Sequence, residues 1–297
     1  MSLDMALVFQ LGRTTIGSAL AYKVSNSGYA KGSLTREGAA AAFAVASLAC
    51  SCSARTGATL LCFYKTGSIL TKFGAARKCK LEADYAAEGQ RGADQVLACS
   101  LIAVVLAVLR RCFVGLDSPI DFGAVACLGN RLTLGFVAFF AACAGDTWAS
   151  ELGVLSRSPP RLITRPWRVA APGTNGGVST LGTLASAAGG VAMGLCHGAL
   201  LMPPTAREVV ALMYVGLLAG TLGSLLDSLL GATLQATFYD DETQMIVKAS
   251  EAGRPTVRCI AGVPFLSNEA VNFVSTAAVA LAAALAPRPL LAWAARV

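Results

Sequence analysis

Residues 134–153 read LGFVAFFAACAGDTWASELG, an apolar stretch that runs straight into a short acidic cluster. Carboxylates at the end of a membrane-type helix are costly, and they face a bundle interior or a wet cavity. Asp146, Ser150 and Gly153 follow i, i+4, i+7 spacing. They share one face if the helix continues, with Glu151 beside them. Downstream, Gly173-Thr174-Asn175-Gly176-Gly177-Val178-Ser179 opens another apolar run. An acidic helix end near a glycine- and hydroxyl-rich helix start points to a metal–phosphate site at a membrane surface.

The whole chain supports a lipid setting. Of its 297 residues, 55% are hydrophobic and 14% charged, and its mean hydropathy is +0.61. Soluble domains carry about 25% charged residues. Several windows approach the roughly 20 apolar residues that span a bilayer. The expected architecture is all-α: a polytopic integral membrane helical bundle of about six or seven spans, forming one domain over residues 1–297. The net charge of +7 comes from basic residues clustered between apolar runs. That placement reads as topology and anionic lipid contact, and nucleic acid is not expected. Ten cysteines and one histidine occur without a CxxC pair. Most of the cysteines sit inside apolar runs and read as small buried residues, not as a zinc site. Residues 5–21 are moderately apolar, carry Arg13 and lack a clear secretory cleavage signal.

The predicted spans are 3–22, 37–63, 94–110, 121–145, 177–201, 208–231 and 269–294. Polar residues 51–57 interrupt the second, which reads as two half-helices or a re-entrant segment. Arg131 interrupts the fourth and reads as the end of a short helix starting near Asp121. Long polar loops are expected at 64–93, 146–176 and 232–268. They share one side on a seven-span count and carry most of the basic residues. The opposite loops hold Lys23, Lys31, Arg36, Arg110, Arg111 and Arg207. Positive-inside bias places the basic-rich side, together with the N-terminus, in the cytosol and the C-terminus opposite.

Asp146 and Asp227 are the candidate Mg²⁺ ligands, since that ion takes one or two carboxylates plus substrate phosphates. The plainer reading is a helix-end acid reaching water. It is awkward for Asp227, which has apolar residues on both sides. Glycines at 173–177 allow backbone N–H groups to approach phosphate, and a helix starting near Val178 points its positive end there. Thr174, Asn175 and Ser179 add donors. Arg161 and Arg165 suit phosphate oxygens and serve equally as positive-inside markers. The stretch 64–72, with Lys72, reads as anion-binding or as an ordinary charged loop. Asp94-Gln95 reads as a helix cap and partner. Asn268 reads as an N-cap, with Glu269 in the first turn and Asn272 on the same face. No GxxxxGK[ST] occurs, and no Ser-His-Asp or Cys-His set is available.

At this point the chain resembles the integral-membrane family of transmembrane protein 19 and plant phytyl-phosphate kinase, also catalogued as domain of unknown function 92. The resemblance is collinear over about residues 31–275. It runs through Lys31-Gly32-Ser33-Leu34-Thr35, Ser68 with Leu70-Thr71-Lys72, and Gln90-Arg91 with Gln95-Val96-Leu97. It continues through the DTWASELG block at 146–153, Pro160-Arg161-Leu162-Ile163-Thr164, and the GTNGGVS block at 173–179. Asp227-Ser228-Leu229-Leu230-Gly231-Ala232 with Gln235, and Asn268-Glu269-Ala270-Val271-Asn272-Phe273, complete it. One departure is Cys99-Ser100, where the family usually has an Asn just after Ala98.

The resemblance implies a CTP-dependent kinase acting on a prenyl monophosphate, with kinship to dolichol kinase and the membrane cytidylyltransferases. It implies catalytic roles for Asp146, Glu151 and Asp227. Nucleotide and substrate contacts are then expected from Ser68, Thr71, Lys72, Gln95, Ser150, Arg161 and Thr164. Further contacts are expected from Gly173, Thr174, Asn175, Gly176, Gly177, Ser179, Gln235, Asn268 and Asn272. The expected partners are membrane lipid, a nucleoside triphosphate and a prenyl phosphate. The expected location is the plastid envelope or thylakoid in a plant or alga, and an endomembrane otherwise. The alternative is a polytopic transporter, because polar residues at helix breaks also mark substrate pathways. A non-catalytic scaffold is a third reading.

Overall fold

The computed structural model describes residues 3–81, 90–200 and 204–294. Helix α1 spans Leu3–Ala30, α2 Arg36–Cys52, α3 Ala54–Lys72 and the short α4 Ala75–Lys78. Helices α5 (Ala93–Ala98) and α6 (Leu101–Phe113) follow, then α7 (Leu128–Gly153). Next come α8 (Thr180–Ala199), α9 (Ala206–Leu234), α10 (Asn268–Leu285) and α11 (Pro287–Leu291). Three of them, α7, α9 and α10, are long and apolar enough to cross a membrane.

The break in the second predicted span is a full reversal. Ser53 is extended, caps α3 by accepting from the Arg55 N–H, and separates two helices that each run the length of the bundle. The foot of α2 is tied to residue 91, because the Thr35 N–H donates to the Arg91 carbonyl at 3.0 Å. The far end of α2 meets Gln10 and Arg13 of α1 at the Ser51 carbonyl. Helix α1 therefore starts at the end of the bundle remote from residue 91. That corrects the expected placement of the N-terminus, and it moves Lys31 and Arg36 to the basic-rich end. Among the described residues the chain runs along the bundle in α1, α2, α3, α5–α6, α7, α8, α9 and α10.

Two further expectations change. Arg131 does not interrupt α7: its guanidinium turns to the carbonyls of Ala126 and Ala284, so the charge is satisfied without a break. No helix starts near Asp121, whose Oδ1 instead accepts from the N–H groups of Gly123 and Ala124 in a turn. The bundle is also not purely helical. Strands β1 (Arg161–Leu162), β2 (Arg165–Val169) and β3 (Gly177–Val178) form an antiparallel sheet in the order β2-β1-β3, with Leu162 opposite Gly177. Strands β4 (Thr237–Asp240), β5 (Met245–Val247) and β6 (Val257–Ala261) form a second, in the order β5-β4-β6. They lie in segments read from sequence as loops, except β3, which occupies the first two residues of the predicted span 177–201; strand pairing satisfies the backbone there. In the β4–β5 turn the Glu242 N–H donates to Asp240 Oδ1 at 3.0 Å, and this bond foremost holds the Asp240 carboxyl below its usual range.

The core is α7, buried almost throughout between residues 132 and 145, with α8, α9 and α10 around it. Phe136, Phe139 and Phe140 stack edge to face within it. Small residues set the closeness of α7, α8 and α9. A Cβ on Gly145 would meet Gly220 Cα at 2.7 Å, and Gly190 and Gly216 touch in the same way. In lipid, such contacts are what hold helices together, since the hydrocarbon competes for every larger side chain.

The three long polar segments converge on one end. The Ile246 N–H donates to Leu81 O at 3.1 Å, Arg77 reaches the carbonyls of Leu155 and Ser156, and the Asn175 N–H donates to Thr237 Oγ1 at 3.1 Å. The expectation that these segments share a side agrees with this convergence.

Candidate active site

Helix α7 continues through the acidic cluster to Gly153, so Asp146, Ser150 and Gly153 do share a face. That face lines a cavity of about 830 Å³ at the basic-rich end. The Gly145–Gly220 contact brings α9 alongside, and Asp227, two turns further along α9, lines the same space. Each acid lies two turns from the cavity end of its helix. Ser275 of α10 donates to Asp227 Oδ2 at 3.0 Å. Among the described residues, Asp146 has no hydrogen-bond donor and neither acid has an ion-pair partner.

Glu151 also lines the cavity, but it is already engaged. Lys78, only 3% exposed, contacts its Oε2 at 2.5 Å, and Thr71 donates to its Oε1 at 2.6 Å. This arrangement ties α3 and α4 to the end of α7. It makes Glu151 a fixed anchor more than a free base.

The glycine loop borders the cavity from residue 173 to 179. Its detail differs from a simple phosphate cradle. The Asn175 N–H goes to Thr237, and the N–H groups of Thr174 and Gly177 go to the carbonyls of Ala171 and Thr174. Gly176 has φ +77°, and a Cβ there would lie 2.7 Å from the Ser228 carbonyl and overlap Ala232. Its glycine is needed to dock the loop on α9. Helix α8 begins at Thr180, two residues beyond the expected start, with Ser179 as N-cap accepting from the Gly182 N–H at 3.1 Å. The positive end of α8 is thus presented at the cavity wall.

Of the other predicted residues, Thr71, Gln95, Ser150, Gln235, Asn268 and Asn272 line the cavity. Gln235 Nε2 and Asn268 Oδ1 are 3.5 Å apart. Ser267 is the N-cap of α10, and Asn268 is its first residue. Gly92 takes the N-cap position of α5, and Asp94 lies in the first turn. Four predicted residues lie elsewhere. Lys72 is exposed at the end of α3. Arg161 is exposed and donates to the Pro166 carbonyl within its own hairpin. Thr164 sits in the exposed turn of that hairpin. Ser68 lies behind the wall, where its Oγ accepts from Arg91 Nη1 at 3.3 Å.

Arg91 is the lining cation that residue-by-residue reading overlooked; Lys78, Lys248 and Glu269 are further lining charges. The signal for Arg91 was its place just before the Asp94-Gln95 helix start. Lys78 lies in an unremarkable basic run, and nothing in that run announces its burial.

With the geometry in place, the chain can be set beside known proteins. The family model described as integral membrane protein DUF92 matches residues 19–280. The chain belongs to this family. It is 38% identical over 271 residues to Protein PGR of Arabidopsis thaliana, covering 88% of this chain and 90% of that protein. It is 33% identical over 176 residues to an uncharacterized membrane protein of Methanocaldococcus jannaschii, covering 59% and 63%. An uncharacterized membrane protein of Synechocystis is 30% identical over 222 residues, covering 73% and 68%. No solved structure matches the chain. The matched region contains α2 to α9 whole, and with them every cavity-lining acid on α7 and α9.

Proposed function

We propose that this DUF92 protein is a Mg²⁺-dependent membrane kinase that transfers a phosphoryl group from a nucleoside triphosphate, CTP, to a prenyl monophosphate such as phytyl phosphate or a related isoprenoid lipid. The observation that carries this reading is the pair Asp146 and Asp227, two acids on neighbouring helices of one cavity that have no basic partner among the described residues. Idle charges at that depth are expensive, so a ligand that needs them is the economical explanation.

The donor set fits Mg²⁺. No cluster of three or more His, Cys, Asp and Glu occurs among the described residues, but this ion needs only one or two carboxylates when phosphates and water complete its shell. When bound, it would neutralise charge on the phosphate oxygens. Phosphoryl transfer otherwise needs positioning and electrostatics more than covalent chemistry. Arg91 offers a planar fork to phosphate oxygens, held in place by Ser68. The N-terminus of α8 adds a second positive element. Lys78 and Thr71 keep Glu151 fixed beside them. A lipid phosphate oxygen would form the new bond to the γ-phosphorus as the bond to the nucleoside diphosphate breaks, giving a lipid diphosphate. The setting proposed is a plastid envelope or thylakoid in a plant or alga, or an endomembrane elsewhere.

The test is a screen of purified protein with labelled CTP, ATP, UTP and GTP against prenyl alcohols and monophosphates. Mg²⁺-dependent label on the lipid is expected, strongest with CTP. Substrate flux in liposomes without any transfer would favour the carrier reading instead.

A further inference from the structure

The cavity has a second arm that the phosphoryl chemistry does not use. It continues between α1, α2 and α3, where Ala21, Val24, Ala42, Ala46, Leu60 and Phe63 form its wall. At 1.5 Å per residue, Ala21 lies about 14 Å from the cavity end of its helix, Ala46 about 15 Å and Leu60 about 18 Å. Asp146 and Asp227 lie about 10 Å in by the same measure. The arm therefore runs deeper than the acids, into the part of the bundle at hydrocarbon depth. Ala42 and Ala46 are one helical turn apart and present two methyl groups to the same space.

Arg91 stands where the polar and apolar arms meet. Its backbone is bonded to Ser33 and Thr35 at the foot of α2, and its side chain reaches Ser68 on α3. A ligand using both arms has an anionic head at Arg91 and an apolar tail pointing down. The cavity volume of about 830 Å³ lies within the roughly 300–1,000 Å³ range of ligand sites.

We propose that the α1–α2–α3 arm receives the tail of a single-chain lipid monophosphate, and that Ala42 and Ala46 limit the length of chain it accepts. This rests on the phosphate position given to Arg91 in the kinase reading. One chain is assigned because the lining that α1, α2 and α3 share centres on a single column of small residues, Ala42 and Ala46.

Two binding measurements test it without relying on turnover. The first is equilibrium binding of linear prenyl monophosphates, from short to long, to wild type and to Ala42→Phe protein. Ala42→Phe is expected to weaken the longest ligand about tenfold, the scale of pocket discrimination between apolar groups, and to leave the shortest unchanged. Equal loss across the series, or no loss, would overturn the assignment. The second uses unaltered protein and a long-chain alkyl monophosphate with a diazirine at the chain end. Adducts within residues 21–24, 42–46 and 60–63 are expected; adducts confined to the outer faces of α8 to α10 would refute it. Tail binding without transfer would remove the kinase reading and keep the arm. Transfer with no chain-length dependence would do the reverse.

Discussion

At the end of the bundle remote from the cavity, Asp117 and Glu208 sit against Arg55 and Arg110; at the cavity end, Asp146 and Asp227 have no ion-pair partner among the described residues, and Asp227 takes one hydroxyl, from Ser275. Arg55 and Glu208 are 2% and 1% exposed and meet at 2.8 Å. Arg55 also donates to the His197 carbonyl, while Arg110 is bonded to Thr133 and Ser118. Glu208 Oε2 takes the Ile120 N–H, and Ser53 donates to Asp117. These charges cancel and their hydrogen bonds are filled. Such a cluster fixes the starts of α3 and α9 against the end of α8, and it offers nothing to a ligand. The cavity acids are the converse: held by packing at Gly145 and Gly220, and left uncompensated. The difference separates charge that serves architecture from charge available for chemistry.

The comparison breaks first at Arg55. Arg55→Ala strands Glu208 in an apolar setting, and removing one partner of a buried pair costs about 3–5 kcal/mol. Detergent-extracted protein is expected to melt far below wild type or to fail size-exclusion chromatography. A wild-type melting curve would show that the remote network is not the staple described.

Asp146→Asn and Asp227→Asn should behave in the opposite way. Each keeps shape and removes a charge that is costly at membrane depth, so melting temperature should hold or rise. Turnover should fall by about 10²–10³, the scale seen when a preorganised electrostatic contact is lost. Assaying Mg²⁺-dependent transfer and thermal melting on the same preparations sharpens the contrast. Retained turnover in either variant removes that residue from the ligand set.

Gly176→Val tests how the cavity wall is held. A Cβ meets Ala232 and the Ser228 carbonyl, and φ +77° disfavours a branched residue. The cost is expected at about 1–3 kcal/mol, through strain and overpacking at the loop–α9 contact. Calorimetric titration with Mg-CTP should show weakened binding in protein that still inserts and folds. Unchanged affinity would make residues 173–179 a connector.

Much of this was legible because lipid imposes strong rules. Apolar runs gave the helices, and the spacing of Asp146, Ser150 and Gly153 gave one face of α7. What escaped the sequence was where the chain reverses. Ser53 is one extended residue in a small-residue run, and only tertiary contacts show the reversal, with Tyr64 of α3 back beside Ser33 at the foot of α2. That reversal changed the side assigned to Lys31 and Arg36. The sheets escaped for a different reason: strands of two to five residues are too short to carry an alternation to read. Pairing of remote charges is also invisible in sequence. Arg55 read as part of a polar interruption, while its partner Glu208 lies 153 positions away.

The smallest expected effects separate the cations that line the cavity from those that only surround it. Arg91 borders the cavity and is steadied by Ser68; Lys72 and Arg161 are exposed and outside it. Arg91→Ala should weaken Mg-CTP or prenyl phosphate binding about tenfold, in keeping with the loss of one charge-assisted hydrogen bond. Arg91→Lys should recover part of this, because charge remains while the planar fork is lost. Lys72→Ala and Arg161→Ala should change affinity less than about twofold, because exposed side chains contribute within about 0.5 kcal/mol. Raising salt should shrink even that residue of attraction, because charges more than about 10 Å from a ligand are screened at ordinary ionic strength. A loss at Lys72 or Arg161 as large as that at Arg91 would mean that the phosphates bind above the loop, against the β1–β2 hairpin. The acids of α7 and α9 would then need a ligand other than the nucleotide.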